Sequence, residues 1–127
     1  MKFLFTFLLS IIITNLTHAQ KTIKLEDIAQ HIGDSVLIEG KVYSGRFLSN
    51  SEGAPTLLNL GALYPNQKLT LVIRGTSRKN FDAAPEVSFT DQMVWVKGKL
   101  ELFKGKPQMV LWSKAQIGVI EKEESDE

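Results

Sequence analysis

Basic and aromatic side chains recur together along this chain. Tyr43, Arg46 and Phe47 fall close together, Arg74 is followed by Arg78 and Lys79, and Phe103, Lys104 and Lys106 surround Gly105. Cations beside flat rings suit a polyanion whose units carry rings of their own: the cations track phosphates and the rings stack on bases. Groups suited to catalysis are scarcer. The chain has no Cys and 2 His, of which only His31 lies beyond residue 19. A Cys/His zinc site is excluded, and a serine–histidine triad is not expected. Glu39, Glu52, Asp82, Glu86, Asp91 and Glu101 are scattered, without the local spacing of an acid–base couple or a metal cluster. There is also no glycine loop of the kind that cradles phosphates. The expectation is a binding protein rather than an enzyme, with no catalytic residue, no metal and no cofactor.

Charge supports that expectation only when it is split by region. Between Ser35 and Lys114 there are 11 bases and 6 acids, an excess of +5, whereas residues 121–127, EKEESDE, hold 5 acids and 1 lysine. A basic body invites a test for anion binding, and the acidic tail reads as a disordered, solubilising segment. Residues 1–19 carry Lys2, an apolar run from Phe3 to Ile13 and a polar end at Thr17-His18-Ala19. That layout predicts a secretory signal peptide cleaved after Ala19, because the apolar run is well short of the ~20 residues of a spanning helix. The expected location is therefore the periplasm or the extracellular space, with no membrane span remaining after cleavage. Residues 20–120 form one domain that must hold by packing alone, without disulfides.

The elements that would position these side chains follow from periodicity. In residues 22–32, Leu25, Ile28, Ala29 and Ile32 have helical spacing, and Gly33 ends the segment. SVLIEGKVYSGRF alternates as a long strand with Gly40 in its interior, where a bulge or bend is expected. TLLNLG and KLTLVIRG follow as strands, with Leu69, Leu71 and Ile73 on one face of the latter and Thr70, Val72 and Arg74 on the other. A short helix fits around Ser77–Ala83. QMVWVKGKLELF is a second long strand with an internal glycine, Gly98, and GKP turns the chain back into a last strand, QMVLWS. AQIGVI reads as a final apolar turn. Five strands, two of them long and bent at glycine, with a helix between strands three and four, predict an all-β OB-fold Greek-key barrel with short helices. A β-sandwich has similar strand spacing and stays open as the second architecture.

Three stretches carry a resemblance: VLIEGKVYSGRFLS, TLLNLGALYPNQKLTLVIRG and MVWVKGKLELFKGKPQMVLWS. They resemble the small bacterial OB-fold proteins of the tRNA-anticodon-binding type, in an exported form. The shared element is Val96, Gly98, Leu100, Phe103, Lys104, Gly105, Lys106, Pro107 and Met109 in that order. The resemblance implies the fold first and nucleic-acid binding by analogy.

OB-fold sites cross the second and third strands between the first-to-second and fourth-to-fifth loops. Mapped onto this chain, the ligand-binding candidates are Tyr43, Arg46, Phe47, Asn59, Arg74, Arg78, Lys104 and Lys106. Trp95 is expected in the core or barrel wall, Trp112 in the core or rim, and Pro107 in the turn. The expected partner is single-stranded nucleic acid or another polyanion. The alternative is a periplasmic or surface module for a protein, peptide or small ligand. A nuclease accessory protein or degenerate enzyme domain is a third reading.

Overall fold

The computed structural model describes residues 20–121. The leader expected over residues 1–19 and all of the acidic tail except Glu121 lie outside the described residues. Among the described residues no helix is long and apolar enough to cross a membrane.

Among the described residues there are eight strands: β1 (Lys21–Ile23), β2 (Ser35–Phe47), β3 (Thr56–Leu60), β4 (Leu69–Ile73), β5 (Met93–Lys99), β6 (Glu101–Phe103), β7 (Lys106–Val110) and β8 (Ile117–Val119). The α-helix α1 (Pro85–Phe89) lies between β4 and β5. The ladder runs β6-β7-β4-β3-β2-β5-β8, with β1 added beside β2, and its two ends do not pair with each other. The long strand β2 serves both halves. Its first part, Ser35–Lys41, pairs with β5, and its second part, from Val42 to Phe47, pairs with β3. β4 and β7 are parallel, with Leu71 opposite Met109.

Strict alternation builds the interior. Val36, Ile38 and Val42 of β2, Leu58 and Leu60 of β3, Leu69, Leu71 and Ile73 of β4, and Val94 and Val96 of β5 are fully buried, as are Leu100, Met109 and Leu111. Side chains on a strand point to opposite faces in turn, so each of these strands commits one face to the core. α1 closes one end of it. Pro85 takes the first helical position, where its missing N–H costs nothing. Gly45 lets the helix approach β2: a Cβ there would lie 2.9 Å from Thr90 Oγ1 and 3.1 Å from Glu86 Cα.

Several local expectations change. Residues 22–32 are not a continuous helix: β1 pairs with Val36–Ile38 of β2, and a 3₁₀ helix spans Leu25–Gln30. Three residues per turn place Leu25 and Ile28 on one face, which suffices to cover the core while the backbone of 21–23 joins a ladder. The helix expected at Ser77–Ala83 is instead a 3₁₀ helix at Gly75–Asn80 followed by α1. Gly40 causes no bulge; it stands in register with Val94, and its missing side chain admits Leu25 and Leu60, each 3.1 Å from a Cβ placed there. The bulge falls at Tyr43, the extra residue between the pairs Val42–Leu60 and Ser44–Asn59.

The fourth expected strand breaks at Leu100, whose N–H and C=O turn to Asp34 and Gly33 instead of continuing the ladder. Pro107 belongs to β7 opposite Leu102, one residue before pairing with β4 begins at Gln108, so its absent N–H leaves that ladder intact. The last segment is strand β8 on β5 rather than an apolar turn. There Gly118 lies under Trp95, where a Cβ would come within 2.5 Å of the indole nitrogen.

Candidate functional site

Among the described residues no helix covers the face of β2, β3, β4, β7 and β6 that points away from the core, and its side chains fall into rows. Ser44, Asn59, Thr70, Gln108 and Glu101 are cross-strand neighbours in sequence across the five strands. Hydrogen bonds tie parts of this row together: Asn59 Nδ2 donates to Ser44 Oγ at 2.9 Å and Gln108 Nε2 to Glu101 Oε1 at 3.0 Å. Gln67 Nε2, from the preceding loop, donates to Thr70 Oγ1 at 3.2 Å. The next row is Arg46, Leu57, Val72 and Val110, a half-buried apolar floor with one cation at its edge. Arg74 and Trp112, just past the ends of β4 and β7, follow by the same two-residue step.

Trp112 is the largest ring at this face and is 52% exposed. The guanidinium carbon of Arg74 lies 5.2 Å from its ring centre, within cation–π range. Its backbone is held on both sides. Trp112 N–H donates to Gln116 Oε1 at 2.6 Å, and Trp112 C=O accepts from Asn80 Nδ2 at 2.8 Å. Gln116 Nε2 in turn donates to the carbonyls of Lys97 and Val110 at 3.2 and 3.3 Å. Two amide side chains thus satisfy the peptide groups where the β7 ladder ends, and the indole projects from a fixed base. Beside it, Arg74, Lys99, Glu101, Val110, Trp112 and Gln116 line a cleft of about 190 Å³.

The opposite end of the face is the β6–β7 turn. Lys104 has φ +51° and Gly105 +77°, the sign pattern of the type I′ hairpin turn that suits right-twisted strands. Glycine takes a positive φ freely, but for lysine it costs roughly 1 kcal/mol. The turn therefore displays a lysine at a position where Asn or Asp would be the cheaper residue. Lys104 Nζ sits 5.4 Å from the Phe103 ring centre, and Lys106 Nζ sits 5.6 Å from that of Tyr64, a ring 70% exposed in the β3–β4 loop. Lys106 and Trp112 are separated by six residues of near-extended chain, roughly 20 Å. The outer face therefore has a basic, aromatic pole at each end and a polar and an apolar row between them.

Of the expected site residues, Arg46, Asn59 and Arg74 lie on this face, and Lys104 and Lys106 stand at its end. Asn59 is only 8% exposed and spends one amide hydrogen on Ser44. Tyr43 projects at the bulge, with Lys41 Nζ 4.9 Å from its ring centre. Arg78 turns inward. It donates to Glu86 Oε2 at 2.8 Å, to Glu86 Oε1 at 3.3 Å and to Thr56 Oγ1 at 2.6 Å, and its guanidinium carbon lies 3.7 Å from the centre of the Phe47 ring. Arg78 and Phe47 are thus partners of each other, and Phe47 remains 39% exposed. The Arg78 guanidinium holds the Glu86 carboxyl below the ordinary carboxylate range, against a smaller opposing effect of burial.

Trp112, expected in the core or rim, is exposed at this face, and Tyr64, Lys99 and the Gln108–Glu101 pair join it without having been expected there. The signal for Trp112 was present: Met109 and Leu111 are the buried members of the alternation, so Val110 and Trp112 share the other face. Tyr64 lies in a loop, where periodicity says nothing. Trp95 is half-buried outside the core, over Gly118, and so belongs to the wall. Among the described residues no three His, Cys, Asp or Glu side chains gather as a metal site would require.

The strand order, with β2 on β5, β4 parallel to β7 and a helix between β4 and β5, is OB-like and mostly β. No protein-family profile matches the chain, and no curated protein matches it. A solved structure of an aspartyl-tRNA synthetase from Leishmania major Friedlin is similar with a TM-score of 0.50 and 10% identity, covering 85% of this chain and 22% of that one. The telomere capping protein Ten1 from Saccharomyces pombe is similar with a TM-score of 0.43 and 16% identity, covering 80% of this chain and 81% of that one. The chain spans about a fifth of the synthetase (22%), and at 10% identity that likeness bears on the fold alone.

Proposed function

We propose that this chain is an exported, non-enzymatic OB-type module of bacterial kind that binds single-stranded nucleic acid or a similar polyanion along its uncovered sheet face. The finer fold reading is a five-stranded barrel of β2, β3, β4, β5 with its continuation β6, and β7, decorated by β1 and β8. One observation carries the functional reading: the uncovered face is bracketed by Arg74 with Trp112 at one end and by Lys104 with Phe103 and Lys106 with Tyr64 at the other. Such pairs supply both requirements of a single strand, cations for phosphates and rings for bases. The cleft of about 190 Å³ beside Trp112 is smaller than the usual site for a drug-sized ligand, about 300 Å³ or more, which weighs against a small molecule bound in that cleft.

The test is fluorescence anisotropy of labelled single-stranded oligonucleotides with the full chain over a range of salt. Affinity should fall steeply with salt as phosphate contacts release counterions. Replacing Lys104 and Lys106 together with Ala should reduce the slope of log affinity against log salt by about 1.4, the value for two phosphate contacts on a single strand. Lys104→Asn separates charge from turn geometry. It should raise stability by about 0.5–1 kcal/mol, because Asn tolerates the positive φ, while weakening oligonucleotide binding. Urea melts and anisotropy on the same sample would show both changes.

Absence of binding to DNA, RNA or heparin at low salt would sink the proposal. It would favour the alternative of a protein or peptide partner, for which Leu63, Tyr64, Leu102 and Phe103 are among the exposed apolar side chains. Export is tested separately, by mass spectrometry of the N-terminus of the native protein, which should begin at Gln20 or its cyclised form.

A further inference from the structure

Glu101 is out of place on a surface meant for polyanions. It stands at the end of the polar row, in the same cleft as Trp112, with Arg74 and Lys99 alongside. It forms no ion pair with either cation. Instead it is held by a neutral partner on its own sheet: Gln108 Nε2 donates to Oε1 at 3.0 Å, and Oε2 takes no part in that bond. A carboxylate costs affinity for any phosphate nearby, so its placement beside a stacking ring calls for a gain elsewhere. That gain is available at the edge of a stacked base. A carboxylate accepts hydrogen bonds and donates none, so it pairs with an exocyclic amino group and opposes a carbonyl. Single-stranded bases are read in this way, with the ring stacked on an aromatic side chain and the edge hydrogen-bonded.

We infer that Glu101, oriented by Gln108, is a specificity-determining residue that makes the Trp112 cleft prefer a base presenting an amino group, cytosine above all among pyrimidines, over thymine or uracil. The inference rests on the nucleic-acid reading proposed above. Cytosine offers its N4 amino group where thymine offers the O4 carbonyl, so the two pyrimidines present the same ring size with opposite edge chemistry. Arg74 and Lys99 are placed for the adjoining phosphates, and Val110 and Trp112 for the ring.

The test compares oligo(dC) and oligo(dT) of about ten nucleotides, within the usual OB-fold site size, at slightly alkaline pH with the full chain. The wild type should bind oligo(dC) roughly tenfold more tightly, the discrimination expected of one good base-edge contact. Glu101→Gln should bring the ratio near one, because an amide can donate to O4. Loss of the negative charge raises both affinities, and the ratio removes that common effect. Gln108→Met, which frees the carboxylate to rotate, should give an intermediate ratio. Equal, salt-sensitive binding of both oligonucleotides by the wild type would overturn this inference and leave the general binding reading standing. A preference unchanged in Glu101→Gln would overturn it as well. No binding of either oligonucleotide would overturn both readings together.

Discussion

Arg78→Met should lower the free energy of unfolding by about 2 kcal/mol, between the value of an exposed ion pair and that for removing one partner of a fully buried one. The side chains of Arg78 and Glu86 are only 22% and 19% exposed, so little water is available to replace the lost partner. Three groups would lose their contact at once: the Glu86 carboxylate, the fully buried Thr56 hydroxyl and the Phe47 ring. These groups come from α1, β3 and the end of β2, while Arg78 itself sits on the 3₁₀ helix Gly75–Asn80. The arginine therefore fastens the β4–β5 connection to the end of the sheet.

The pair also predicts a pH dependence. Glu86 titrates below its ordinary value because Arg78 stabilises the charged form. A depressed carboxyl pKa adds stability that is fully present above the unfolded-state value, about 4.3, and is lost as pH falls through the folded-state value below it. Wild-type stability should therefore drop on acidification below about pH 4 more steeply than that of Arg78→Met. Urea denaturation followed by tryptophan fluorescence at several pH values would measure both effects. Equal stability of the two proteins at neutral pH would refute the assignment of Arg78 to a structural role and return it to the binding surface.

Trp112→Ala should weaken single-stranded oligonucleotide binding by about 2 kcal/mol, roughly thirtyfold, the size of one lost base stack. The loss should be similar at every salt concentration, in contrast to the Lys104/Lys106 double variant, because stacking releases no counterion. Trp112→Phe should recover part of the affinity by restoring a smaller ring. Stability should change little, since the indole is half exposed and the backbone bonds to Asn80 and Gln116 do not need the ring. The intrinsic signal offers a second readout. Trp95 is packed over Gly118, away from the uncovered face, so quenching of tryptophan fluorescence by oligonucleotide should vanish in Trp112→Ala. Wild-type affinity and quenching in that variant would rule out the proposed stacking role.

Alternation was enough to place β2, β3, β4, β5 and β7 and to separate the two faces of each, but it missed β1 and β8. Leu69, Leu71 and Ile73 could only share one side of a strand, and they are all fully buried. A helix between the third and fourth core strands was also expected, although at Ser77–Ala83 rather than at Pro85–Phe89. The basic turn at Phe103–Lys106 was legible because Gly105 and Pro107 between two strands mark a turn. What remained depended on contacts between residues distant in sequence. Leu25 to Ile32 has helical spacing, yet the ladder to Val36–Ile38 claims the residues just before it and a tighter 3₁₀ turn is enough to cover the core. Arg78 reads as a free cation until Glu86 and Thr56 are brought to it from eight and twenty-two residues away. Trp112 was expected in the core or rim, because alternation distinguishes two faces of a strand without saying which one another element will cover. That choice belongs to the packed sheet: the core claimed Met109 and Leu111, no helix covered the opposite face, and Asn80 and Gln116 fixed the exposed ring in place.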